Sequence, residues 1–266
     1  MKTLRDIQSE SDKREIPLKR VGIKNIQYPL KVRRKDGGSV DTIATFNLTV
    51  NLPHHFRGTH MSRFIEVLEE FSEMLSWNDL KAFAMKLRDK LNAEASHIEI
   101  LFPYLVRKKA PVSGKESYMN YDAHIEAVLE RDTFAIYTGV KVPVHTLCPC
   151  SKAISKYGAH NQRAFVDITV KTTKLIWLEE IIETAEKSAS HGLYALLKRV
   201  DEKHLTEYAY DHPKFVEDVA RDAALLLKED DRIEWFKVEV ESMESIHNHQ
   251  AYACVVWERG NGFWEA

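Results

Sequence analysis

The chain is poor in cysteine, has no long apolar run and carries almost no net charge, and each shortage removes a class of protein. Three cysteines in 266 residues, two of them separated only by Pro149, cannot build a disulfide framework. No apolar stretch approaches the ~20 residues that cross a bilayer as a helix, and the N-terminus lacks an apolar core followed by a small-residue cleavage site. A cytoplasmic location is therefore expected. With 38 basic against 40 acidic side chains, no overall field draws the chain to nucleic acid or an anionic membrane, so any anionic ligand needs a local cluster. A phosphate loop is also missing: Ser113-Gly114-Lys115 lacks both the first glycine and the following Ser or Thr. The sequon Asn47-Leu48-Thr49 falls inside an expected strand and is read as chance.

What is present is a pattern that recurs. Residues 1 to about 19 are charged and without an apolar period, which suits a mobile arm. Strand patterns follow over Val21 to Tyr28 and Ile43 to Leu52, the second alternating through Phe46, Leu48, Val50 and Leu52, with Asp36-Gly37-Gly38 as the turn. Met61, Phe64, Ile65, Leu68 and Phe71 then fall at helical spacing behind Gly58-Thr59, and Leu80, Phe83, Ala84, Leu87 and Leu91 do so behind Asn78. Ile98 to Val106 and Tyr118 to Glu130 return to strand composition and close a ββααββ unit near residue 131. The same order repeats in Phe134 to His145, the alternation Ala164, Val166, Ile168, Val170, a helix over about Trp177 to Ser188, and a helix opening at Pro213 with Phe215, Val219, Ala223 and Leu226 on one face. Ile233 to Glu241 and Ala251 to Trp257 finish it. The fold class is α+β, with an arm over 1–19 and modules over 20–131 and 132–266. Their antiparallel sheets are covered by helices on one face, and the bare face asks for a partner.

The second module is interrupted by CPCSKAISKYGAHNQ and by LLKRVDEKHLTEYAYDH, and function tends to reside in such insertions. Thiolate and imidazole are ligands of a borderline-soft metal, which directs attention to Cys148, Cys150 and His160. In an extended segment Cys148 and Cys150 point the same way, while Pro149 blocks continuation of a ladder. A structural zinc knuckle needs four ligands, and no second CxxC or HxxxH pair supplies them, so a site with few protein ligands and an open position is expected. Cys254, in the apolar run AYACVVW, reads as an inert buried thiol. His247 and His249 lie in the turn SIHNHQAY, where a strand end carrying Cys148 and a hairpin carrying His247 can converge at one sheet edge. Taken singly, Glu202 and Glu217 are ordinary helical surface carboxylates.

RGTHMSRF at 57–64, TLCPCSKAIS at 146–155, GAHNQR at 158–163, LLKRVDEKHLTEYAYDHPKFVEDVARD at 196–222 and SIHNHQAYA at 245–253 together resemble the type B GTP cyclohydrolase I family. The resemblance implies the tunnelling fold and a homotetramer with sites near subunit interfaces. It implies conversion of GTP and water to 7,8-dihydroneopterin triphosphate and formate, the first step of folate-type pterin synthesis, by metal-activated water attack on carbon 8. Carried over residue by residue, it puts Cys148, His160 and Glu202 on a divalent metal, for which this ligand set admits zinc, manganese or iron. Glu217 becomes the guanine anchor, because a carboxylate accepts from the ring N–H and the 2-amino group together. His247 becomes the proton-transfer residue, and Cys150 a supporting or alternative ligand. Lys152 and Arg163, with Lys156, Arg57 and Arg63 behind them, are the cations for the triphosphate, while His54, His55 and His60 receive no role. Two rival readings are a related tunnelling-fold pterin or deazapurine enzyme and a non-catalytic metal-binding oligomer.

Overall fold

A computed structural model describes residue 8, residues 10–71 and residues 77–264, with only the backbone of 77 and 78. In chain order it has β1 (Leu18–Arg33), β2 (Ser39–Leu52), α1 (Met61–Phe71), α2 (Trp77–Lys90), β3 (Ala95–Lys109) and β4 (Glu116–Glu130). Then come β5 (Thr133–Leu147), α3 (Pro149–Ile154), β6 (Asn161–Thr172), α4 (Leu178–Ser188), β7 (His191–Gly192), α5 (Arg199–Asp211), α6 (Val216–Lys228), β8 (Ile233–Ser242), β9 (Ala251–Glu258) and β10 (Gly262–Phe263). This is the expected ββααββ order twice, the second copy carrying α3, β7 and α5 as insertions.

Two compact units are resolved by their contacts. The first comprises Met1–Arg33, Gly37–Phe102 and His124–Tyr137. In it β1 pairs antiparallel with β2, and β2 with β3. Alternation along β2 and β3 sends Phe46, Leu48, Val50, Ile98 and Ile100 to one face, where they meet Phe64, Val67 and Leu68 of α1 and Phe83, Ala84 and Leu87 of α2 in full burial. Each of these side chains larger than alanine contributes roughly 1.5–3 kcal/mol from burial. The turn into β2 contains Gly37 at φ 88°, a conformation that costs a side-chain-bearing residue energy. Of the expected arm, residues 1–7 and residue 9 lie outside the described residues. Further on, Ser11 bridges Phe56, and Glu10 accepts from both the Arg57 backbone N–H at 3.0 Å and its guanidinium at 3.0 Å.

The second unit comprises Arg34–Asp36, Pro103–Ala123 and Thr138–Ala266. Here β6 pairs antiparallel with β8 and β8 with β9, and the short β7 pairs with β5. Val166, Ile168 and Val170 of β6 and Phe236, Val238 and Val240 of β8 are fully buried, as are Ile181 and Ala185 of α4 and Val219 and Ala223 of α6. α6 opens three residues after the expected start at Pro213, and two of its four expected core positions move by one. It begins at Val216, and its buried stripe is Val216, Val219, Ala220, Ala223, Ala224 and Leu227, while Phe215 and Leu226 are exposed at 38% and 41%. Both sets have helical spacing; the one rich in alanine permits the closer approach. Cys254 also departs from expectation. It is exposed, because along β9 it faces away from the helices, opposite Glu239.

The insertions are ordered. α5 buries only Asp201, Leu205 and Ala209, one residue per turn. Asp201 accepts from the N–H groups of Val112 and Ser113 at 2.9 and 2.8 Å, the Ser113 hydroxyl at 2.6 Å and the Lys198 N–H at 2.8 Å, which ties the helix start to the turn after β3. These bonds hold its carboxyl well below the usual carboxylate range, against the opposing effect of burial.

Candidate functional site

The Cys148 segment is not extended. Cys148 is the N-cap of α3, with Pro149 in the first helical turn, where a missing N–H does no harm, and its Sγ accepts from the Ser151 N–H at 3.4 Å. Cys148 and Cys150 therefore do not share a side, and Cys150 is exposed. Three hydrogen bonds then close the loop onto itself. The Cys148 N–H donates to the His160 carbonyl at 3.1 Å, the His160 N–H to Ser151 Oγ at 3.2 Å, and Ser151 Oγ to the Cys148 carbonyl at 3.2 Å. The sulfur and the imidazole are thereby anchored side by side at the ends of β5 and β6.

Side chains alternate between the two faces of these strand ends, and each face opens on a cavity. Thr146, Cys148, His160 and Gln162 line one of ≈250 Å³ together with Lys214, Glu217, Glu244, His247 and His249. The intervening His145, Leu147 and Asn161 line another of ≈750 Å³, together with His191, Glu202 and Tyr210. Of the residues expected in the site, Cys148, His160, Glu217 and His247 are thus brought to one cavity, and Glu202 lines the other. Lys152 and Arg163 line neither: the Lys152 ammonium donates to the Tyr210 carbonyl and lies 4.3 Å over the Tyr210 ring, and Arg163 is exposed.

In the smaller cavity the His160 and His247 rings meet edge to face at 6.3 Å, and His247 stacks on His249 at 5.1 Å. His160 Nδ1 lies 2.9 Å from Gln162 Oε1 and 3.9 Å from a Glu244 oxygen. Gln162, Lys214 and Glu244 were not singled out from sequence, although they complete this wall. Lys214 is ion-paired with Asp222, and its backbone N–H donates to the Leu147 carbonyl at 3.1 Å.

The larger cavity holds a second histidine pair. His145 and His191 stack at 4.4 Å with their planes 4° apart. His145 Nε2 is 3.1 Å from Asn161 Oδ1, its Nδ1 is buried without a hydrogen-bond partner, and His191 Nδ1 is 2.8 Å from the Gly192 carbonyl. Burial pushes both imidazoles toward the neutral form, His191 down to about 4, with the charges of His145, Lys108 and His204 acting in the same sense. A Cβ at Gly192 would stand 2.5 Å from the Glu186 carboxylate carbon and 2.7 Å from Lys108 Nζ, so a side chain there would displace the ends of these two side chains. The sign of the pH effect follows. An unfolded histidine titrates near 6.5, so as pH falls from 6.5 toward 4 the unfolded chain takes up a proton that the fold refuses, and stability drops. With the ring's partial exposure discounted, the loss is about 1 kcal/mol at pH 5, or a Tm fall of roughly 2–4 °C. Thermal unfolding at pH 7 and pH 5 will show this fall in the wild type and a smaller one in His191→Phe; equal falls would refute it.

The family model described as type I GTP cyclohydrolase folE2 matches residues 4–253. The chain belongs to that family. A GTP cyclohydrolase FolE2 from Thermosipho africanus is 57% identical over 252 residues, covering 95% of this chain and 97% of the relative. One from Pseudothermotoga lettingae is 51% identical over 256 residues, covering 96% and 99%. Among solved structures, uricase from Arthrobacter globiformis superposes with a TM-score of 0.52 at 7% identity over 93% of this chain and 96% of that one. Urate oxidase from Bacillus sp. TB-90 gives 0.51 at 11% identity over 90% and 99%. At such identities the likeness shows the fold alone, which is the tunnelling fold.

For a member of the folE2 family the question is whether the cavity suits a metal. One thiol, two imidazoles and a carboxylate, from Cys148, His160, His247 and Glu244, border one open space, and this donor chemistry fits a divalent ion. Among the described residues no three such side chains are gathered closely enough to form a finished ligand set.

Proposed function

We propose that this chain hydrolyses GTP to 7,8-dihydroneopterin triphosphate and formate, the entry to folate-type pterins, at the cavity between Cys148, His160, Glu217 and His247. Membership of the folE2 family carries the activity, and the grouping of metal-ligand and proton-transfer side chains in one cavity supports its location. Carbon 8 of guanine is a poor electrophile, and a bound divalent metal supplies the Lewis acidity that makes water nucleophilic at neutral pH. Cys148 and His160 would hold that ion, with Glu244 as the carboxylate on the same face. Glu202, the carboxylate that the family resemblance implies, would have to reach it from the other face or from a second copy. Comparing metal titrations of Glu202→Gln and Glu244→Gln decides between the two carboxylates.

The remaining roles belong to the chain itself. Glu217, exposed in the first turn of α6, accepts the two guanine N–H donors and so orients carbon 8 toward the Cys148 wall. His247 exchanges protons at nitrogen 7 and at the opening ring, a task suited to an imidazole in reach of a second one. Two hydrations and one loss of water on ring closure leave a net uptake of one water and release of formate. Incubating the protein with GTP and manganese, zinc or iron(II) will yield a product that fluoresces as a neopterin after oxidation, and equimolar formate. No product with any of these metals would refute the proposal.

We further propose a homotetramer with sites near its subunit interfaces, acting in the cytoplasm. The bare sheet faces of the tunnelling fold support the first part. For the second, no helix among the described residues is long and apolar enough to cross a membrane.

A further inference from the structure

Gln162 stands opposite Glu244 for a reason fixed by register. β6 and β8 pair antiparallel with Ala164 against Ser242, and the Met243 N–H donates to the Arg163 carbonyl at 3.0 Å, so continuing the same register one step outward brings Gln162 against Glu244. The Gln162 amide then meets three groups, its Nε2 also lying 3.5 Å from Thr146 Oγ1. Its Nε2 donates to Glu244 Oε1 at 3.2 Å, and its Oε1 lies 2.9 Å from His160 Nδ1.

The donors and acceptors of this chain allow one arrangement. A carboxylate only accepts, so the amide nitrogen must face Glu244; the amide oxygen is then left facing His160, and because it too only accepts, the proton of the neutral ring must sit on Nδ1. Glu244 is itself fixed by the Ser242 hydroxyl, which donates to the same Oε1 at 2.8 Å. The side chains of His160, Gln162 and Glu244 are each sheltered from solvent, which favours the paired arrangement over exchange with water.

We propose that Gln162 is a positioning residue: its amide passes the orientation of Glu244 and Ser242 to His160, holds the ring proton on Nδ1, and leaves Nε2 as the lone-pair nitrogen for the metal. The last clause rests on the metal reading given above; the tautomer does not. A bare strand-end cross-link would need neither the amide orientation nor the ring proton at a set nitrogen.

The test uses the full-length, metal-free protein. Proton–nitrogen correlation of the imidazoles at alkaline pH, with His160 assigned by its absence in His160→Ala, reads the tautomer directly. The wild type will show His160 protonated at Nδ1, and Gln162→Leu will lose that form. Gln162→Met, nearer in volume, serves if the leucine variant does not fold. Zinc affinity, read by competition with a chromophoric chelator, will fall ~10–100-fold in Gln162→Leu, as for loss of an outer partner of a ligating histidine. A wild-type ring protonated at Nε2, or an Nδ1 proton that survives in Gln162→Leu and Gln162→Met, overturns the proposal whatever the metal does. If the tautomer behaves as expected while His160→Ala binds zinc as the wild type does, the positioning role stands and the metal reading falls.

Discussion

Cys148→Ala will abolish turnover of GTP and metal uptake together, and Cys148→Ser will do nearly the same while leaving the fold intact. The pair is needed because Cys148 has two tasks. Its sulfur caps α3 by accepting from the Ser151 N–H at 3.4 Å, so the alanine variant also loses a cap, worth about 1 kcal/mol. Serine is a better cap and a much harder ligand, so it separates helix stability from metal affinity. The fall in kcat/KM should exceed the ~10–100-fold typical of losing an outer partner, since a direct donor is removed. Circular dichroism melts and metal analysis after dialysis complete the comparison. Retained metal with lost turnover would move Cys148 from ligand to another catalytic task, and retained turnover in both variants would remove it from the site.

How much of this site was legible beforehand depends on which physical rule each residue obeys. Phe46, Leu48 and Val50 obey the strand period and Phe64, Val67 and Leu68 the helical one, so the module order follows from local pattern. α5 hides because its buried set, Asp201, Leu205 and Ala209, is too narrow for an apolar stripe, and its anchor is a buried carboxylate reaching a distant turn. The Cys148-Pro149 pair was weighed only as part of an extended segment, although a cap-then-proline order is itself a helix start. Gln162 and Glu244 carry no signal of their own: they become neighbours only through the β6–β8 register, which pairs residues 82 apart in the chain. Glu202 comes from the resemblance and not from local pattern. A resemblance between sequences transfers residues to a metal without regard to strand alternation, and here alternation divides His145, Leu147 and Asn161, on the Glu202 side, from Cys148 and His160.

Glu217→Gln will lower kcat/KM for GTP by roughly 30–1000-fold while leaving metal content unchanged. The magnitude comes from two charge-assisted hydrogen bonds to the guanine edge. An amide presents one acceptor where the carboxylate presents two and turns a donor toward a donor, a loss of about 2–4 kcal/mol at ~1.4 kcal/mol per factor of ten. Stability will change little. Glu217 is exposed in the first turn of α6, so removing its charge costs only ~0.3–1 kcal/mol of helix-dipole interaction, and the Phe215 N–H still donates to Asp218 Oδ2 at 3.0 Å. Inosine triphosphate supplies the decisive control, because it lacks the 2-amino group and already forfeits one of the two bonds. The penalty of the variant should therefore shrink on this substrate, and the two losses should fail to add. Equal penalties on both nucleotides would place the 2-amino group elsewhere, and loss of metal in Glu217→Gln would assign this carboxylate to the ion instead of the base.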